Sequence, residues 1–175
     1  MSIALRPYPG LPAPPLSIEA EALRLSADRL ELRFGLSGPA GAVRVPAIAD
    51  PARVDELWKH TCFEAFIRPA GDSETYVEIN LAPSRQWAAY AFDRYRAGMR
   101  SADVALEAIE VSATPQRLDL VATLSIPAAG VGSVWRLALT AVIEDVGGGL
   151  SYWSLRHPAG RPDFHDPVGL ALELR

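Results

Sequence analysis

Two stretches of this chain set polar side chains where neighbouring strands would present them together. In Cys62-Phe63-Glu64-Ala65-Phe66-Ile67, period-two alternation puts Cys62, Glu64 and Phe66 on one face and Phe63, Ala65 and Ile67 on the other. In Tyr76–Leu81 the apolar face is Val77, Ile79 and Leu81, so Tyr76, Glu78 and Asn80 point away from it. If the two strands pair, one sheet face carries two carboxylates and an amide beside aromatic rings. That set suits a sugar: ring faces pack on the C–H faces of a pyranose, and carboxylates and amides hydrogen-bond adjacent hydroxyls. Trp58, beside a turn and the charged Lys59, is the best candidate for an exposed aromatic. The same Glu and Asn residues equally suit a strand face in contact with water.

Catalytic constellations are weaker. Glu64 and Glu78 could act as the acid/base pair of a glycosidase, but nothing in the sequence sets their separation. No nucleophile elbow, phosphate loop or zinc-type histidine motif is present, and Ser84 falls in the turn Ala82-Pro83-Ser84-Arg85. His157, Asp163, His165 and Asp166 lie close enough in sequence for a metal site, but they lack ligand spacing and read as a locally hydrogen-bonded loop. Cys62 reads as a small buried residue. The expectation is a binding domain with no catalytic residue, metal or cofactor.

Strands must position these groups, and strands dominate the pattern. Leu30, Leu32, Phe34 and Leu36 alternate with Arg29, Glu31, Arg33 and Gly35; Leu23 and Leu25 precede a turn at Ala27-Asp28, which makes a hairpin. Leu118 to Ile126 and Trp135 to Ile143 repeat the alternation, with Trp135 in the core. Shorter candidates are Cys62–Ile67, Tyr76–Leu81, Trp87–Phe92, Val104–Ser112, Tyr152–Leu155 and Leu170–Leu174. About ten strands result, punctuated by Pro69-Ala70-Gly71-Asp72, Thr114-Pro115 and Gly147-Gly148-Gly149. Asp50-Pro51, with Val54, Leu57 and Trp58 at helical spacing, predicts at most one short helix. The five prolines between Pro7 and Pro15 make residues 1–16 an extended arm. The fold class is all-β, a two-sheet sandwich.

The 175 residues suit a single domain, 1–175, and 49% apolar with 22% charged residues is a globular composition. A net charge of −4 and the lack of a basic run argue against nucleic acid; the arginines from Arg94 to Arg100 read as a solvated turn. One cysteine excludes an internal disulfide. No apolar run is long enough for a membrane span, and the proline-rich start is unlike a secretory leader, so cytoplasmic residence is expected.

The run from Trp58 through Thr61-Cys62-Phe63-Glu64-Ala65-Phe66, Tyr76-Val77-Glu78-Ile79-Asn80-Leu81-Ala82-Pro83-Ser84 and Trp87 to Met99 resembles the DOMON-like proteins, which are similar to the family 9 carbohydrate-binding modules. The ending, Trp153-Ser154-Leu155-Arg156-His157-Pro158 and Pro162-Asp163-Phe164-His165, fits a bacterial subgroup of them. The resemblance implies a jelly-roll-like β-sandwich that binds a sugar without catalysis. It also implies that Trp58 and Phe164 grip the ring, Phe164 standing where the modules have tryptophan. Glu64, Glu78, Asn80 and Arg85 would read the hydroxyls, and His60, Trp153 and His157 complete the ligand-binding candidates. Some DOMON relatives carry haem, and Met99 with His60 or His157 would be the axial pair. A protein–protein interaction domain, with a homodimer as its cue, is the further alternative.

Overall fold

The alternating segments pair as antiparallel strands in the computed structural model, which describes residues 2–71, 73–127 and 134–175; Asp72, within one expected turn, lies outside them. Among the described residues twelve strands form: β1 (Ile3–Pro7), β2 (Ser17–Arg24), β3 (Arg29–Ser37), β4 (Cys62–Pro69), β5 (Tyr76–Leu81), β6 (Trp87–Phe92), β7 (Arg100–Ser101), β8 (Ala105–Thr114), β9 (Arg117–Ser125), β10 (Trp135–Glu144), β11 (Leu150–Ser154) and β12 (Leu172–Leu174). They join in one curled sheet of order β7-β6-β5-β4-β10-β11-β1-β2-β3-β9-β8, with β12 also paired to β10. The all-β expectation holds; where two sheets were expected, the strands join in one strongly curled antiparallel sheet. Phe34 of β3 stacks on Phe63 of β4 at 4.9 Å, so the two halves face each other across the core.

The interior follows the alternation. Phe63, Ala65 and Ile67 of β4, Val77, Ile79 and Leu81 of β5, and Leu137, Leu139, Ala141 and Ile143 of β10 meet Leu30, Leu32, Phe34, Leu36 and the even-numbered residues Leu118–Leu124 from the other half. Trp135 is wholly buried among them. The opposite face of β4, β5, β6 and β10 carries a second, smaller cluster of Leu57, Cys62, Phe66, Tyr76, Tyr90 and Phe92, with Trp58 and Phe164 packed against it. A sheet face with its own apolar cluster is one that loops cover.

Two expectations need correction. Residues 3–7 are no free arm: β1 pairs with β2 on one side (Leu5↔Ile18) and β11 on the other (Arg6↔Ser154), joining the two halves. Pro7 ends the strand, where its missing N–H costs no interior ladder bond, and the remaining prolines lie beyond it. The short helix from Pro51 does not form either. Val54 N–H donates to Trp87 O and Trp87 N–H to Ala52 O, tying the segment beside β6. Glu56 then takes a left-handed conformation (φ 64°), which leaves only a 3-10 turn at Leu57–Lys59. Among the described residues no helix is long and apolar enough to cross a membrane.

Candidate binding site on the outer face

Register builds the floor of the site. Glu64 of β4 lies opposite Asn80 of β5 and opposite Thr140 of β10, and Thr140 lies opposite Ser154 of β11. Asn80, Glu64, Thr140 and Ser154 therefore run as a polar row across four strands, pointing away from the main core. Glu78 and Phe66 face each other in the next row. The two sequence stretches thus do share one polar face, but it is not open to water. Glu64 is 2% and Glu78 5% exposed.

Three segments cover this face. Residues 57–59 bring Trp58, whose ring meets Tyr90 edge-on at 5.8 Å. The β6–β7 connection brings Arg96 and Met99. Its Gly98 (φ 71°) has no room for a side chain, because a Cβ there would collide with the Asp93 carboxylate. The segment 162–165 brings Asp163, Phe164 and His165, and Phe164 packs edge-on to Phe66 at 6.5 Å and Tyr152 at 6.0 Å. Between floor and cover lies a cavity of about 500 Å³, large enough for a sugar residue or two.

The polar network around it is directional. Arg96 N–H donates to Tyr76 Oη (3.2 Å), and Tyr76 Oη is hydrogen-bonded to His165 Nδ1 at 2.7 Å. His165 Nε2 faces Glu78 Oε2 at 3.7 Å. Asn80 Nδ2 donates to Glu78 Oε1 at 2.7 Å. Across the cavity wall, Arg96 Nη2 donates to Asp163 Oδ1 at 2.7 Å and Tyr95 Oη to Oδ2 at 2.5 Å. Burial disfavours the Asp163 carboxylate, but these hydrogen bonds outweigh it and hold its pKa below the usual value. Glu64 Oε1 and its neighbour Thr140 Oγ1 are buried with no hydrogen-bond partner.

Burial, and then the proximity of Glu78, pushes the Glu64 carboxyl well above its ordinary 4.5. Burial also raises Glu78, though the Asn80 amide and Arg96 oppose it. The pair titrates as a unit: burial raises both carboxyls, and at Glu64 the Thr140 hydroxyl opposes it only in part. Burial first, then Arg96, lowers His165 to about 4. These shifts set opposite pH slopes. Where Glu64 binds protons more tightly folded than unfolded, stability falls as pH rises above about 4.5. His165 binds them less tightly when folded, so stability rises between about 4 and 6.5. Glu64→Gln removes the Glu64 part of the falling limb, so its melting temperature should climb more steeply from about pH 4.5 to 6.5 than that of the unaltered chain. Parallel profiles in a melting-temperature series would refute this account of Glu64.

Of the residues singled out from the sequence, Trp58, Glu64, Glu78 and Phe164 line the cavity, and Asn80 lies behind Glu78. The other four do not line it. Trp153 is 3% exposed in the main core, its Nε1 bonded to Ser151 Oγ, because Tyr152 takes the outward place on β11. Arg85 sits in the β5–β6 turn with Nε donating to Ala49 O. His60 Nδ1 meets Glu144 Oε2 at 2.8 Å, and His157 Nε2 meets Arg6 O at 2.8 Å. Met99 lines the cavity, yet neither of those histidines joins it, so the axial pair expected for haem is not assembled. Asp166 caps the 3-10 turn at Pro167–Gly169 through Val168 N–H, away from any metal arrangement. Among the described residues no group of three His, Cys, Asp or Glu could hold a metal ion.

Arg96, Tyr152 and His165 were not assigned to the site from sequence. Tyr152 had a signal: alternation along β11 gives Leu150, Tyr152 and Ser154 one face, and the register places that face beside Val142 and Thr140. Arg96 and His165 lie in irregular segments with no periodicity to place them.

No family model matches the chain. The human pleckstrin homology domain-containing family H member 3 is 33% identical over an alignment of 113 residues, with 60% of this chain and 14% of that protein covered. Among solved structures, a Bacteroides uniformis protein assigned as carbohydrate-binding covers 88% of this chain and 76% of its own, with a TM-score of 0.62 and 15% identity. A family 9 carbohydrate-binding module from Caldicellulosiruptor kristjanssonii, in complex with cellotriose, covers 91% and 74% at TM-score 0.57 and 8% identity. A family 9 module from the same organism, in complex with glucose, covers 85% and 71% at 0.52 and 8%. The all-β fold of this chain is thus the fold of carbohydrate-binding proteins, family 9 modules among them.

Proposed function

We propose that this chain is a non-catalytic domain that binds a carbohydrate in the outer-face cavity. The observation that carries the reading is the cavity itself, which has a polar floor with carboxyls on adjacent rows of β4 and β5 under walls of Trp58, Tyr152 and Phe164. Aromatic walls and a floor rich in acceptors complement a sugar's C–H faces and hydroxyls. The likeness to sugar-bound modules supports it by fold. Glu64 and Glu78, on adjacent rows of one floor, serve in this reading as acceptors for sugar hydroxyls. His165, neutral and held by Tyr76, acts as a wall rather than as a charged acid.

A thermal-shift screen against mono- and oligosaccharides tests the reading. A sugar at about a hundred times its dissociation constant adds about 2.7 kcal/mol to stability, a clear rise in melting temperature. Saturating sugars that leave the melting temperature unmoved would dismiss it. Haem in one well of the same screen tests the electron-transfer alternative.

A further inference from the structure

The charges around the cavity do not balance where the floor is deepest. Its acids are Glu64, Glu78 and Asp163; its permanent cations are Arg96 and Lys59. Both cations are engaged elsewhere: Arg96 with Asp163 at 2.7 Å, and Lys59 Nζ with Glu56 Oε1 at 2.7 Å. His165 is neutral near pH 7. Among the described residues, neither Glu64 nor Glu78 has an ion pair with lysine or arginine. Two buried carboxyls therefore share a floor with no ion-paired cation: Arg96 acts on Glu78 only from a distance, and Glu64 Oε1 has no hydrogen bond of ordinary geometry. Glu78 Oε2 has only His165 Nε2 at 3.7 Å, too long for a hydrogen bond.

Such a floor costs stability as it stands, because buried carboxylates without partners are strongly disfavoured. A ligand that supplies the missing cation turns this cost into an ion pair. The cavity gives the ligand's shape: aromatic walls for a ring, and acceptors at the bottom for a compact, donor-rich charge. An ammonium offers three donors and no acceptor, which matches Glu64 Oε1 and Glu78 Oε2, the carboxyl oxygens that lack a donor at hydrogen-bond distance.

Resting on the carbohydrate reading, we propose that the ligand is an amino sugar in its ammonium form, seated with its nitrogen against Glu64 and Glu78. The amine arrives protonated and stays so. The proton shared by the two carboxyls leaves to solvent, and two carboxylates then face one ammonium. Up to one proton is released per ligand bound. A neutral sugar gives no reason for that release, and an N-acetylated one has lost the charge.

The test is calorimetry near pH 6.5 with matched sets of sugar, amino sugar and N-acetyl amino sugar in the gluco, galacto and manno series. Each is run in two buffers of different ionisation heat, so that released protons are counted. In at least one series the free amine should bind about tenfold or more tightly than its hydroxyl and N-acetyl counterparts, with proton release. Glu64→Gln, its folding checked by melting temperature, should bring that ratio close to one. If that variant does not fold, Glu78→Gln and the proton count of the unaltered chain carry the test. Equal or tighter binding of the neutral sugar overturns the amine inference and leaves the carbohydrate reading standing. An amine preference that persists in both variants also overturns it, since the nitrogen then sits elsewhere. If no sugar of any kind binds, both readings fall.

Discussion

Phe63→Ala should cost about 3–5 kcal/mol, the usual range for emptying a buried aromatic position, and that is enough to unfold a domain of ordinary stability. Phe63 is fully buried and stacks on Phe34 at 4.9 Å, across the line where the two halves of the curled sheet meet. Its loss leaves a cavity between β3 and β4 that neither half can close, because each is pinned by its own ladder: β3 to β2 and β9, β4 to β5 and β10. A urea titration checks it. The midpoint should fall steeply with little change in slope. A loss below about 1 kcal/mol would mean that the halves do not depend on this contact.

Trp58→Ala should have the opposite profile, with a large loss of binding and a small loss of stability. The ring belongs to the outer cluster, is half-buried, and touches Tyr90 edge-on rather than sitting in the main core. Its truncation should cost the fold about 1 kcal/mol. As a wall of the cavity it would act as a binding hot spot, for which about 2 kcal/mol, or roughly thirtyfold in affinity, is an ordinary loss. Calorimetry with whichever sugar the screen identifies measures the affinity, and a melting curve the stability. An unfolded variant would make Trp58 a structural residue, and undiminished affinity would remove it from the binding wall.

Both predictions rest on residues that alternation alone could place. Phe63 and Glu64 fall on opposite faces of β4, and Glu78 and Asn80 join Glu64, because the period of a strand fixes its faces once it pairs. What alternation cannot tell is whether a polar face is wet. Glu64 and Glu78 lie beneath Trp58, Arg96 and Phe164, which arrive from three separate irregular segments, and irregular backbone has no period to read. The same limit explains Trp153. A tryptophan near the end of the chain fits a sugar site by type, but one step of register sends it into the core and Tyr152 outward. In residues 51–56 the spacing was helical, yet hydrogen bonds to Trp87, 30 or more positions away, took the backbone instead. Non-local pairing outweighs a weak local preference.

The position of β1 has a consequence for how the molecule comes into being. Arg6 pairs with Ser154, so the curled sheet closes only after β11 exists, and that closure spans nearly the whole chain. Such a topology has a high contact order and folds slowly, because the entropy of a long loop must be surrendered before the pairing returns anything. On the ribosome β2, β3 and β9 can zip together early. The floor needs β10 and β11, and its cover needs residues 162–165, so the pocket is among the last things made. A chain stalled before those segments would be a half-sheet with no place for a ligand, and ligand added during synthesis should rescue only finished molecules.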